Sequence, residues 1–277
     1  MRAPVDTIAA PPFLTHLKWV NVATLRMDKQ LGNPVLVEFW DCCRPNSLRT
    51  LPYTKAWHER YASDGLRVVG IHSPGFDVAA DKPAIAAATK RLGVEYPVLI
   101  DPDLEMWDVY ENQGWPARYL FDAHGMLAHY HYGEGAYGET ELAIQELLGV
   151  ERELLAPIRR EDAPGAQLLA PSVQRAGAYS GPYEAGAVWA VLDGAGVDGA
   201  GIDGAGVDGA GIDGAGVDGA GVVQVNGGPS AGGREIAVTH PGAYALIEHE
   251  RHTAGALDLR LGAGVRCLAT CFTPGVA

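Results

Sequence analysis

The sequence predicts an α/β domain with a central mixed sheet flanked by helices, followed by a smaller C-terminal β-sandwich-like domain. Three observations lead there. The apolar runs at 35–40 and 66–72 are separated by a helical pattern, and strands apolar on both faces belong inside a covered sheet. The order strand, helix, strand, helix, strand, helix, hairpin, helix then accounts for residues 1–150 as one unit. From Tyr179 onward, short apolar runs alternate with glycine breaks, which is the spacing of an antiparallel β fold.

The elements follow in order. Residues 1–17 are proline-rich and irregular, and 19–21 is a short strand. Gly32-Asn33 turns the chain into the first central strand, 35–39. Residues 46–63 read as a helix with Leu48, Leu51, Trp57 and Tyr61 near one face and Pro52 as a kink point. Residues 66–72 form the second central strand, 82–92 a helix stopped by Gly93, 96–100 a strand and 103–110 a short helix. The runs 118–122 and 127–132 flank Ala123-His124-Gly125 as a hairpin. Residues 140–148 make an amphipathic helix capped by Gly149. Residues 151–178 are charged, then rich in Pro and Ala, and read as a linker. In the β-rich part, 179–277, strands are expected at 187–192, 222–225, 235–238, 243–248, 257–261 and 265–272.

Within that part, the unit Val/Ile-Asp-Gly-Ala-Gly recurs over 192–221. Mostly Gly and Ala, it buries too little side chain to offset the ordering of its backbone, so it reads as a flexible low-complexity loop. A calcium solenoid is disfavoured, since the Gly-rich calcium repeat has a period of about nine residues rather than five.

Composition excludes several classes. The chain has 277 residues, with Lys+Arg 21 against Asp+Glu 34, a formal charge of −13 that makes a nucleic-acid backbone an unfavourable partner. Six aspartates of the repeat supply part of that charge. The N-terminus lacks an apolar core with a cleavage site, and no apolar run approaches the roughly 18 residues of a bilayer span. The expectation is a cytoplasmic protein with reduced thiols and no membrane partner. Its four cysteines, in the close pairs Cys42/Cys43 and Cys267/Cys271, do not form a secreted disulfide framework.

The chemistry-bearing stretch is 34–53. The run ending at Trp40 delivers Asp41-Cys42-Cys43-Arg44 to a helix start, where the helix dipole and free N–H groups stabilise a thiolate. Cys43 has Arg44 beside it, and Asn46 or Ser47 is a candidate N-cap. Adjacent Cα atoms lie about 3.8 Å apart, short of the roughly 4.4–6.8 Å of an ordinary disulfide, so a Cys42–Cys43 bridge would be strained. Cys43 is read either as a reactive thiol, oxidised to a sulfenic acid or mixed disulfide and resolved by an external thiol, or as an inert small hydrophobe at a strand end. Glu38, inside an apolar strand, has a raised pKa if desolvated. His129/His131 and His249/His252 read as polar sheet surface, and Cys267 and Cys271 as core. No cofactor motif and no metal-ligand set is found.

The stretches 35–40 (VLVEFW), 48–53 (LRTLPY), 65–76, 115–125 (WPARYLFDAHG) and 133–137 carry a resemblance. Residues 17–150 resemble the thioredoxin fold, specifically the TlpA/DipZ-type redoxin family of thiol–disulfide oxidoreductases. The β-rich part is placed like the sandwich domain that follows thioredoxin in DipZ-like proteins. The resemblance implies antioxidant or redox-homeostasis activity, with protein thiols or small thiols as partners. It also implies a cis-proline at Pro116, a substrate groove shaped by Trp40, Trp115 and Pro116, and Glu38 as the buried acid beneath the motif. The family's Cys-x-x-Cys falls here on Arg44 and Ser47, so the motif is degenerate: Arg-Pro-Asn-Ser. A dithiol cycle needs a resolving thiol one turn from the nucleophile, and Ser47 cannot supply it. The peroxidase pattern is also absent, since Trp40 stands where its threonine would precede Cys43. Two readings follow: a thiol oxidoreductase centred on Cys43 with Cys42, Arg44, Ser47 and Glu38 around it, or a silent thioredoxin fold that binds a peptide or protein partner.

Overall fold

A computed structural model describes residues 7–194, 221–227 and 233–277. The chain begins with β1 (Lys18–Val20), β2 (Val35–Trp40), α1 (Pro45–Tyr61) and β3 (Arg67–His72). It continues through α2 (Lys82–Arg91), β4 (Val98–Ile100), α3 (Glu105–Val109), β5 (Ala117–Phe121), β6 (Leu127–Tyr132) and α4 (Tyr137–Leu148). Six strands form one mixed sheet in the order β1-β4-β3-β2-β5-β6, with β2, β3 and β4 parallel and the other pairs antiparallel. β2, at the centre, is buried at all six positions, which explains its unbroken apolar pattern around Glu38.

Each face of this sheet has its own core. One holds Leu36, Trp40, Leu51, Trp57, Tyr61 and Val68 beneath α1 and α4; the other holds Val37, Phe39, Ile71, Leu99, Met106 and Phe121. The alternation of β2 residues between the two clusters is the period-two geometry of a strand. Pro52 lies inside α1, where its missing N–H leaves the Leu48 carbonyl without its helical donor. The 122–126 turn is set by Asp122, whose Oδ1 accepts from His124 N and Met126 N at 2.8 Å each.

Residues 151–167 run along α1 and α4. Arg152 N donates to Gln145 Oε1, Leu155 N to Glu141 Oε2, and the Tyr53 hydroxyl bridges Ile158 N and Asp162. The rest of the chain is β-structure: β7 (Leu168–Leu169), β8 (Arg175–Ala176), β9 (Gly181–Asp193), β10 (Gly221–Asn226), β11 (Arg234–Val238), β12 (Gly242–Leu261), β13 (Arg266–Thr273) and β14 (Gly275–Val276). A six-stranded antiparallel sheet runs β11-β10-β12-β9-β13-β8, and β14 pairs with β7.

The two strands expected at 243–248 and 257–261 are the ends of one 20-residue strand, β12. Its register against β9 slips twice, between Ala245 and Ile247 and between Glu248 and Thr253. These bulges bend it so that Tyr244, Leu246, Leu257 and Leu259 share one core with Val188 and Phe272. The repeat expected to be a flexible loop falls on 195–220, outside the described residues.

Candidate active site

The site grows from the junction of β2 and α1. Arg44 is the N-cap residue of α1, extended and without a side-chain cap, and Pro45 is the first helical residue. Asn46 and Ser47, expected as caps, lie inside the first turn and do other work. Asn46 Nδ2 donates to the Trp115 carbonyl at 2.6 Å, and Ser47 Oγ accepts from Asp41 N at 3.2 Å. The Trp115–Pro116 peptide is cis. In a thioredoxin-type groove the backbone beside this proline pairs with an extended peptide. Here the carbonyl before it already accepts a bond from Asn46.

Asp41 organises the loop between strand and helix, a role the sequence reading did not assign. It is fully buried; Oδ1 accepts from Cys43 N at 2.8 Å and Oδ2 from Gly75 N at 2.9 Å. The Arg44 Nε lies 3.6 Å from Oδ2, and its guanidinium covers the Trp115 ring at 4.1 Å. A Cβ on Gly75 would overlap that guanidinium, so a larger residue there would displace the arginine arm from where it folds back. Trp115 in turn stacks on Trp107, 4.1 Å away, and donates Nε1 to the Ser73 carbonyl. Arg44 is thus a cation held by an acid and an indole at the start of α1.

The two cysteines lie beneath, both 0% exposed. Cys42 N donates to His72 Nε2 at 3.1 Å, which fits a neutral imidazole with its proton on Nδ1. The hydrogen bond from Cys43 pulls the Cys42 thiol down to about 5, against burial and with help from His72. The same bond and burial push the Cys43 thiol far up. The pair therefore holds a single proton between two sulfurs. Burial opposes a charge on buried His72, but Cys42 and Asp41 outweigh it and raise its pKa. Asp41, Cys42 and Cys43 bring a carboxylate oxygen and two sulfurs within 4.8 Å of one another, a donor set that could hold a soft cation. Both Asp41 oxygens, however, already accept backbone N–H bonds.

The remaining sequence-derived residues separate. Glu38 is 0% exposed, opposite Arg118 on β5, with the Tyr96 hydroxyl 3.4 Å from Oε2. Burial raises its pKa to about 7, opposed by Thr54, Arg118 and Tyr96. Trp40 is fully buried, edge-on to His72 at 4.9 Å, and forms core rather than groove wall. His129, expected on a polar surface, is only 6% exposed because β6 packs its face inward. His131 Nε2 pairs with the Glu134 carbonyl, and His249 with the Tyr183 hydroxyl.

The second sheet covers the site. Ala243 N donates to the Cys42 carbonyl at 2.7 Å, and the Pro241 carbonyl lies 3.8 Å from the Cys42 sulfur. Arg91 on α2 donates to His240 and lies over the Tyr244 ring at 4.5 Å. A cavity of about 210 Å³ remains between the halves, with Cys43, Arg44, Asn46 and Phe76 on one wall and Cys271 and Pro274 on the other. Cys271 is the residue that sequence reasoning missed: no local spacing relates β13 to the start of α1.

No protein-family model matches the chain. Protein DipZ of Mycobacterium bovis is 33% identical over 174 residues, 61% of this chain and 24% of its own length. The chain is thus similar over part of its length to a redoxin-type protein. Thiol-disulfide oxidoreductase YkuV of Bacillus subtilis is 28% identical over 138 residues, 50% of this chain and 93% of its own. Among solved structures, a thioredoxin-like protein in the oxidised form is 26% identical, covering 52% of this chain and 97% of that one with a TM-score of 0.47. A thiol-disulfide isomerase from Corynebacterium glutamicum is 23% identical, covering 51% and 98% with a TM-score of 0.46. This chain thus spans about a quarter of DipZ's length.

Proposed function

We propose that this redoxin is a thiol oxidoreductase of antioxidant type, reacting with small oxidants or small thiols at Cys42–Cys43 rather than exchanging disulfides with folded proteins. The observation that carries the reading is the vicinal pair itself. Two sulfurs share one proton beside His72, and the outer one, Cys43, borders a cavity roofed by the Arg44 guanidinium. Once the shared proton has passed to Cys42, a Cys43 thiolate at that wall attacks the terminal oxygen of a hydroperoxide; the O–O bond breaks, the alkoxide leaves and takes up a proton, and Cys43 becomes a sulfenic acid. Arg44 is placed to stabilise the departing oxyanion. An external thiol can then displace water to form a mixed disulfide, and a second thiol reduces it. A cytoplasmic setting, which keeps thiols reduced, suits this cycle.

A second reading, a catalytically silent thioredoxin fold that recognises a partner, is favoured by the burial of both sulfurs and by the sheet over them. Labelling separates the two. The native protein is titrated with iodoacetamide against pH, and the products are mapped by mass spectrometry. For the redox reading, the Cys42–Cys43 pair is labelled through opening of the cover, with a midpoint below the free-thiol value of about 8.5. If neither Cys42 nor Cys43 reacts until the protein is unfolded, the silent reading stands in its place.

A further inference from the structure

We propose that Cys271 is the resolving thiol of this site, closing a disulfide with oxidised Cys43 and so joining the two halves of the chain. The inference rests on the redox reading above and names the group that completes it. The usual resolving position on the helix is lost, since Ser47 has no sulfur and its hydroxyl holds Asp41 N. Cys42 is a poor substitute, because neighbouring Cα atoms about 3.8 Å apart are too close for an unstrained bridge. Cys271 meets the requirement from the other side. It lines the same cavity of about 210 Å³ as Cys43, and both belong to one buried cluster with Ala243 and Ala269.

Direction along β13 separates the two C-terminal cysteines. Cys271 packs toward the redoxin domain, whereas Cys267, beyond a bulge, packs against the core of its own sheet. Arg44 serves both sulfurs of the proposed pair. It borders the cavity at Cys43, and its charge favours the Cys271 thiolate against the burial that lifts that thiol to about 11. At rest Cys42 carries the charge and Cys43 the shared proton, so oxidation of Cys43 requires that proton to pass to Cys42, whose sulfur has the Pro241 carbonyl 3.8 Å away as an acceptor.

The chemistry balances with a hydroperoxide as the oxidant. Cys43 takes the terminal oxygen as a sulfenic acid and an alcohol leaves. The Cys271 sulfur then attacks the Cys43 sulfur; an S–S bond forms, the S–O bond breaks, and hydroxide departs as water with the Cys271 proton. Two thiols lose two electrons, and one peroxide is reduced to alcohol and water. An external dithiol returns the pair to the reduced state.

The test treats the full chain with one equivalent of tert-butyl hydroperoxide, blocks free thiols with N-ethylmaleimide and maps non-reduced peptides by mass spectrometry. The expected product is a peptide pair linked through Cys43 and Cys271. Dimedone trapping of a Cys43 sulfenic acid should rise several-fold in Cys271→Ser and stay at the wild-type level in Cys267→Ser. If Cys271→Ser does not fold, the linked peptide of the wild type decides alone. A wild type that accumulates Cys43 sulfenic acid with Cys271 still free overturns this inference and leaves the redox reading intact. A Cys43 that peroxide never oxidises overturns both.

Discussion

Glu38 and Arg118 face each other across β2 and β5, each buried, in a sheet whose other central residues are apolar. Among the described residues, Glu38 Oε1 and two Arg118 guanidinium nitrogens have no hydrogen-bond partner. Arg118 is instead held between the Trp57 and Tyr137 rings, 5.7 and 5.0 Å away, while its remaining nitrogen reaches the Gly135 carbonyl. Burial lifts the carboxyl from 4.5 to about 7, so the folded state binds this proton more tightly than the unfolded one. The associated stability is complete below about 4.5 and declines as pH rises through about 7, an effect of about 3 kcal/mol at roughly 1.4 kcal/mol per pKa unit. Glu38→Gln should flatten this part of the pH–stability curve, measured by urea unfolding at a series of pH values. Parallel curves for the two proteins would show that Glu38 does not titrate in this window. An acid within VLVEFW was legible as a buried ionisable group. Its partner was not, since only strand pairing brings residue 118 to residue 38.

At the scale of elements, the joint between β9, β12 and β14 is decided by glycine. A Cβ on Gly186 would overlap the backbone of Pro274 and Gly275, and one on Gly275 would meet Gly186 and His252. Three strands therefore cross where β12 bulges, and this crossing leads directly from β13 into the last strand. Gly186→Ala should destabilise the protein by about 1–3 kcal/mol through backbone displacement, as overpacking of a filled site does. Chemical denaturation checks this, and a change near zero would mean the crossing is loose. The individual strands were visible as apolar runs, but the fusion of 243–248 with 257–261 was not. Residues 249–256 look like a polar, glycine-containing break, yet 249–252 form a bulge and 253–256 pair with β9, so the strand continues through them.

For the whole molecule, the decisive feature is the second sheet placed over the start of α1 and the two adjacent cysteines. Backbone pairing at Ala243, the Arg91–Tyr244 contact and the packing of Cys271 hold it there. Replacing the lost dithiol tests how much that cover matters. The double variant Arg44→Cys with Ser47→Cys recreates the family's spacing, yet Asn46 still occupies the Trp115 carbonyl and the sheet still blocks a folded partner. It should reduce a small aromatic disulfide while leaving insulin reduction slow. Fast insulin reduction would show that the second sheet lifts readily and is no barrier.

Sequence by itself determined the α/β fold of the first half and the β-rich character of the second. These are local properties: apolar periodicity, turn chemistry and spacing to a helix start are all written within a few residues. Tertiary structure alone decided that Asp41 anchors the site, that Asn46 takes the Trp115 carbonyl, that Trp40 is core, and that Cys271 shares a cavity with Cys43. Each of these is a contact between segments far apart in the chain, where one surface selects another by shape and hydrogen bonding. Such a choice leaves no periodic trace in either segment.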